Sequence, residues 1–481
     1  MNVRFVVHLL SLVVTALGAG ILVSAGVTAL YGDPDLEALL VTGAGALALG
    51  VPAFLLTRPR GRTMIGYKEG FITVGAGWAV AALVGAIPYM VTGLFSPVDA
   101  LFESMSGFTT TGASVLVDYA QPHGIMFWRS LTHWYGGMGI IVLFLAILPP
   151  LGGGAVRLFS AEAPGPVSER LTPKIRDTAR GLWLVYVGIS AAEVFALLLA
   201  GMPLYEAVTN TFGTMATGGF SPQAASIAAY DSPLIEAIIT VFMLLAGANF
   251  ALYYGFVTGQ REKLLRDPEL RLYLAIVAAG IAAVTASLLL AKSHFDVGRA
   301  FREAAFQVVS IQTTTGFVSA DFDQWNTFAK TLLVVLMFVG GCAGSTAGGI
   351  KVVRIMVLSK NARLDLARQI HPKAVLPVKV GGRVIPEHVR TSVLGFFFIY
   401  MITFTAGTLL LATSNVSIVT AATAVAATLN NIGPGLELVG ATQNYAPIHA
   451  GGKLVLVAMM VLGRLELFAI MVPFTRGFWR R

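Results

Sequence analysis

Apolar residues come in long uninterrupted runs from one end of the chain to the other, broken by short polar stretches. Ten runs of about 20 residues are long enough for a helix to cross a hydrocarbon core: 5–30, 38–57, 71–94, 127–149, 181–201, 233–257, 272–291, 328–358, 391–413 and 454–475. Between some of them lie apolar segments too short to cross, at 97–109, 203–215, 297–313 and 417–430, each followed by a Thr- or Asn-rich turn containing Gly. Such lengths predict helices that enter the membrane and return to the same side. Their ends read Thr109-Thr110-Thr111-Gly112, Met215-Ala216-Thr217-Gly218-Gly219-Phe220, Thr313-Thr314-Thr315-Gly316-Phe317 and Asn430-Asn431-Ile432-Gly433-Pro434-Gly435. Ala100–Gly112 and Ala304–Gly316 align without a gap and share the Ala, Phe, Ser, three Thr and Gly positions. With Gly112, Gly218, Gly316 and Gly433 as markers, a unit of about a hundred residues recurs four times.

The expected fold is therefore all-α and embedded in a membrane. Four helix–short helix–helix units, 69–150, 151–258, 259–360 and 361–481, follow two additional helices in 1–68. Non-helical backbone is tolerated at membrane depth only where protein buries it or where it lines a wet cavity. Four such turns belong around one axis, and a central pore follows. Glycine there adopts backbone angles that turn successive carbonyl oxygens inward, and the short helices aim their negative C-terminal ends at the same place. That arrangement stabilises cations. Moving a small ion into a low-dielectric medium costs on the order of 20 kcal/mol in the idealised Born limit, so the oxygens must replace its hydration almost fully.

Composition narrows the classes. Of 481 residues 56% are hydrophobic and 12% charged, which excludes disorder and a water-soluble globule. The single cysteine, Cys342, forms no intrachain bridge and supports no cysteine metal cluster. No basic–aromatic patch argues for nucleic acid, and the net charge of +8 is carried in loops. The first run follows Arg4, yet its apolar core is longer than a signal-peptide core and lacks a small-residue cleavage site, so it is read as retained.

Lys and Arg of short loops stay cytoplasmic. Arg58, Arg60 and Arg62, the loop with Arg157, Arg170, Lys174, Arg176 and Arg180, the loop with Arg261, Lys263, Arg266 and Arg271, the long loop 351–390, and Arg476, Arg480 and Arg481 then share one side. Both termini are expected there. The opposite loops hold Asp33, Asp35, Glu37, Asp99, Asp118, Asp231, Asp296, Asp321 and Asp323, with Lys292, Arg299 and Arg302 as exceptions, and an acidic mouth favours cations.

These turns, together with Gly340-Gly341-Cys342-Ala343-Gly344-Ser345-Thr346-Ala347-Gly348-Gly349-Ile350-Lys351 and Leu462-Gly463-Arg464-Leu465-Glu466, resemble the TrkH/TrkG/KtrB superfamily of potassium transporters. The likeness covers nearly the whole chain, and the two additional N-terminal helices resemble the TrkH/TrkG branch. It implies a bacterial inner-membrane, multi-pass homodimer for potassium uptake. It also implies a cytoplasmic nucleotide-binding regulatory subunit of the TrkA type, with no cofactor in this chain besides the transported K+. By the same resemblance Thr110, Thr111, Gly112, Thr217, Gly218, Gly219, Thr314, Thr315, Gly316, Asn431, Ile432 and Gly433 form a potassium filter. Gly344, Ser345, Thr346, Ala347, Gly348, Gly349, Lys351 and Arg464 belong to a gate beneath it. In related plant transporters Ser at the first filter Gly goes with sodium preference, and Gly at all four positions here implies potassium.

The glycine-rich composition around Ser345 and Thr346 would interrupt a helix in any case. Arg464, near the centre of 454–475, costs roughly 2.5–3.5 kcal/mol on the insertion scale and so faces a pore or a partner; Glu466 is one candidate. Glu193, Asn249, Arg129 and His133 lie in or beside spans and are read as interhelical hydrogen-bonding groups. A proton- or sodium-coupled symporter would need buried carboxylates at mid-depth, for which only Glu193 and Glu466 are placed; a sodium-permeable member of the same fold is the other alternative. No His-Glu-x-x-His or Gly-x-Ser-x-Gly arrangement occurs, so an enzyme is not expected.

Overall fold

The computed structural model describes residues 1–59, 67–147, 175–291, 296–371 and 377–480, with a few side chains excepted. The basic residues Arg60, Arg62, Arg157, Arg170, Lys174, Lys292, Lys373 and Arg481 lie outside the described residues, as does the side chain of Arg176. The fold is helical; the described strands are a two-residue antiparallel hairpin, Lys379–Val380 with Arg383–Val384.

Among the described residues six helices are long and apolar enough to cross a membrane: Val3–Tyr31, Leu36–Leu56, Lys68–Val91, Ala179–Leu199, Pro268–Leu290 and Glu387–Ala412. Their outer faces expose Leu30, Leu49, Leu199, Leu290 and Leu409, while many Thr, Ser and Asn lie buried in the interior among apolar residues. That inversion suits a chain dissolved in lipid. The two N-terminal helices approach closely through Gly18, Gly43 and Gly50, because a Cβ on Gly50 would stand 2.6 Å from Thr15 Oγ1 and one on Gly43 2.8 Å from Leu22. Their turn is tied to the first unit, Asp33 accepting from the His123 N–H at 2.7 Å and Asp35 from the Ile125 N–H at 3.0 Å.

Three of the ten expected crossings are not continuous helices. The run 233–257 bends by 93° between Pro233–Ala246 and Phe250–Val257, and the run 454–475 bends by 108° after Ala450–Arg464. Counting each bent pair as one span gives up to eight. The run 328–358 is helical over Thr327–Met337, about 16 Å at 1.5 Å per residue, then irregular to Lys351, and helical again from Val352 in helix Val352–Ile370. The expected unit boundary at 360 falls inside that last helix. Residues 127–147 of run 127–149 lie in helix His123–Ile147, whose side chains from 140 onward, like residues 148 and 149, are outside the described residues.

The four short segments are helices Pro97–Phe108, Leu204–Met215, Val297–Gln312 and Ile418–Leu429. Three start on side-chain caps: Ser96 accepts from the Asp99 N–H, Asp296 from Arg299 and Ser417 from Thr420. The Leu204–Met215 helix starts after Pro203. They sit in the middle of the molecule although rich in Thr and Ser. One hydroxyl at or near the end of each bonds the preceding turn, as Thr109 donates to Met105 O at 2.6 Å, Thr214 to Asn210 O at 3.0 Å, Thr313 to Val309 O at 2.8 Å and Thr428 to Ala424 O at 2.8 Å.

Candidate cation-conduction site

Each short helix ends the same way. The N–H of Thr111, Gly218, Thr315 and Ile432 donates five residues back, to Ser106, Gly213, Ser310 and Ala427, at 2.8–2.9 Å. The N–H of the preceding residue donates three back, which together make a Schellman terminus. The residue that turns the corner is normally Gly; here it is Thr110, Thr217, Thr314 and Asn431, at φ of 51°, 55°, 59° and 55°. A β-branched residue there costs roughly 1–2 kcal/mol, and such strain gathers at functional sites. Two residues on, Gly112, Gly219, Gly316 and Gly433 again have positive φ, 77°, 78°, 79° and 99°. This registers Gly219, and not Gly218, with the other three glycines, a displacement of one from the alignment by preceding Thr. The φ sign runs positive, negative, positive through every corner, a succession that swings neighbouring carbonyls to one side.

The corners close on one another in a ring. A Cβ on Gly112 would overlap Gly218 O, one on Gly219 would overlap Thr315 O, and one on Gly316 would overlap Ile432 O. A Cβ on Gly433 would stand 2.8 Å from Thr111 O. Each corner glycine thus abuts the middle carbonyl of the next corner, and the fourth returns to the first. The Asn431 amide also donates to Thr111 Oγ1 at 2.9 Å. Thr110, Thr111, Thr217, Thr314, Thr315, Asn431 and Ile432 are all fully buried. The four helix C-termini carry about half a negative charge each, about two in all.

Beneath the ring lies the irregular chain 340–351. The Gly348 N–H donates to Thr314 Oγ1 at 2.7 Å, and a Cβ on Gly348 would overlap Asn430 O, so this stretch presses under the third and fourth corners. The Thr346 hydroxyl reaches Met215 O at 3.0 Å and Ala246 O at 3.2 Å, under the second. Arg464, 4% exposed, donates from Nη1 to Thr346 O at 2.7 Å and from Nη2 to Gly136 O at 3.2 Å; Gly136 itself abuts Phe108 O of the first short helix. Lys351 donates to Ala347 O. Gly344 is exposed, at φ 76° against Asn249, away from the ring.

Two expectations change here. Arg464 is the last residue of its helix and not its centre, and Glu466 pairs with Arg354 at 2.5 Å instead of with Arg464. The bend places Glu466 and Leu467 at φ 54° and 61°, and no Gly or Pro at 465–467 announces it. Glu269 was also missed: one carboxylate oxygen accepts from the Ala343 N–H at 2.8 Å and the Val353 N–H at 3.0 Å, tying together the two ends of the irregular stretch.

A family model described as TrkH, cation transport protein, matches residues 42–479. The chain belongs to the TrkH family. Among relatives, it is 39% identical over 487 residues to the Trk system potassium uptake protein TrkH of Salmonella typhimurium, covering 100% of both chains. It is 33% identical to the TrkG protein of Escherichia coli, across 100% of this chain and 99% of that one. A crystal structure titled as the potassium transporter TrkH from Vibrio parahaemolyticus superposes with a TM-score of 0.91 at 36% identity and complete coverage of both. The fold of this TrkH-family chain is thus that of a solved multi-pass membrane protein.

Proposed function

We propose that this protein carries K+ into the cell through the ring of four corners, the middle and glycine carbonyls serving as its filter. The observation that carries the reading is the cyclic contact of Gly112, Gly219, Gly316 and Gly433 with the next corner's carbonyl. Relatives named as potassium uptake proteins along the whole chain add to it. A ring built of main-chain oxygen offers a monovalent cation a replacement for its water without a fixed carboxylate.

The stretch 344–349 with Lys351 and Arg464 acts in this reading as the gate. Two positive donors, Lys351 and Arg464, and the small residues of this stretch stand below the filter, and the guanidinium repels a cation while it stays bonded to Thr346 O and Gly136 O. A cytoplasmic nucleotide-binding subunit of the TrkA type would move that stretch, the chain working as a homodimer in the bacterial inner membrane with both termini cytoplasmic. The units 69–150, 151–258, 259–360 and 361–481 are the four staves of the pore. A proton-coupled symporter is the second reading, favoured only by Glu193, a fully buried carboxyl beside Thr214.

Uptake of rubidium or potassium by cells lacking their own uptake systems tests the proposal. The intact chain saturates with K+, and Gly316→Ser lowers the preference for K+ over Na+. Equal transport and equal preference in that variant would remove Gly316 from the filter.

A further inference from the structure

The four corners must be held in mutual register, and at three of the four junctions the bonds beside the corners come from main chain or from Ser, Asp and Tyr side chains, with the ion pairs Arg302–Glu236 and Lys453–Asp99 also joining those units. Between the second and third corners the Ala228 N–H donates to Val318 O at 3.1 Å and the Val318 N–H to Ser226 Oγ at 3.2 Å. Between the third and fourth the Glu437 N–H donates to Asp323 Oδ2 at 2.9 Å. Between the fourth and first the Tyr445 N–H donates to Ser114 O at 2.8 Å while its hydroxyl donates to Gly433 O at 2.6 Å.

The junction of the first and second corners differs. Arg129 there is 2% exposed and bonded from Nε to Glu103 Oε1 at 2.6 Å. The same carboxylate accepts from the Ser114 hydroxyl at 2.9 Å and the Val115 N–H at 2.8 Å, just after the first corner glycine. The other limb of the guanidinium donates to Ser221 O at 3.1 Å, just after the second. Its Cζ lies 3.5 Å from the centroid of the Phe220 ring, and His133, one turn along the same helix, stacks on Phe220 at 4.0 Å between centroids and 11° between planes.

Arg129 and His133 thus form a buried clamp on the residue that follows Gly219. The clamp also accounts for a sequence oddity. Thr111, Thr315 and Ile432 carry side chains at the middle of their corners, but the second corner has Gly218, and a Cβ there would overlap the His133 ring. The space a side chain fills elsewhere is filled here by the imidazole.

We propose that Arg129 and His133 are positioning residues that hold the second corner in register through Phe220, and that the pore's discrimination between K+ and Na+ depends on them. The proposal rests on the filter reading above. With the clamp loosened, one quarter of the ring gains freedom to follow a smaller ion, and rejection of Na+ weakens before conduction is lost.

The test reconstitutes the full chain in liposomes and measures K+ and Na+ uptake on the same vesicles. A loss of folded protein scales both fluxes alike and leaves their ratio unmoved. Arg129→Lys keeps the charge beside Glu103 but lacks the planar fork that reaches Ser221 O and covers Phe220. The K+/Na+ ratio is expected to fall at least about fivefold, and Phe220→Leu to fall by a similar factor. In the double variant the losses should not multiply, since both act through one contact. An unchanged ratio in Arg129→Lys overturns the clamp. Should that variant yield no folded protein, an unchanged ratio in Phe220→Leu overturns it equally. Gly316→Ser, remote from the clamp, separates the two ideas: a lowered ratio there with none in the clamp variants defeats the clamp alone, and no effect in either defeats the filter.

Discussion

The ring of corners and the layer beneath it are built on opposite plans. Above, four segments, only two of them alike in sequence, reach one backbone conformation, αL at Thr110, Thr217, Thr314 and Asn431 and positive φ again two residues later. Below, each part exists once: the stretch 340–351 comes only from the third unit, Arg464 only from the fourth, and Gly136 only from the first. A site that surrounds an ion gains from near-fourfold repetition because every oxygen must share the work of hydration. A device that opens and shuts gains from having one part, held by few bonds, that yields without disturbing the ring.

The comparison breaks most visibly at the corners. Gly112→Ala, Gly219→Ala, Gly316→Ala and Gly433→Ala each place a Cβ against the next corner's carbonyl at positive φ. Each is expected to reduce K+-limited growth and rubidium uptake by at least about tenfold; a corner that tolerates Ala would show that the ring is not equivalent in function. For the lower layer the sign is opposite. Arg464→Ala deletes the bonds to Thr346 O and Gly136 O, and rubidium influx should rise severalfold. A folded variant with unaltered influx would overturn the proposal that Arg464 is a barrier.

Two smaller effects sharpen the contrast. Thr346→Val removes a buried hydroxyl that reaches Met215 O and Ala246 O, and a lost hydrogen bond of this kind costs about 1–3 kcal/mol. A lower melting temperature in detergent together with a modest gain in influx is expected, and a gain in stability would contradict the contact. The least effect is predicted at the strained turns. Thr110→Gly relieves a left-handed β-branched residue and should stabilise by up to about 1 kcal/mol, whereas Thr314→Gly also deletes the oxygen that accepts from the Gly348 N–H and should not. Equal melting shifts in the two variants would dissociate the third corner from the stretch beneath it.

Much of this was legible along the chain. The four short segments at 97–109, 203–215, 297–313 and 417–430 match helices Pro97–Phe108, Leu204–Met215, Val297–Gln312 and Ile418–Leu429 within a residue or so, because length against bilayer thickness is a one-dimensional quantity. The interruption of 328–358 was legible too, since five glycines close together weaken a helix on their own. The bend after Arg464 was not: Leu465, Glu466 and Leu467 favour helix or tolerate it, and the partner met at the bend, Arg354 paired with Glu466, is 112 residues away in sequence. The register of the second corner was also hidden, because adjacent glycines satisfy either alignment and only backbone φ distinguishes them.

The amino-acid order by itself determined that this chain dissolves in lipid, that four half-length helices recur in it, and that each ends on glycine. Those properties depend on local composition and spacing. Tertiary structure decided which of Gly218 and Gly219 takes the positive φ in the second corner, that the corners meet in a closed cycle, that Arg464 reaches Thr346 and Gly136, and that Arg129 and His133 grip Phe220. Each of these depends on groups far apart in sequence being brought within hydrogen-bonding or stacking distance, a relation that no window along the chain contains.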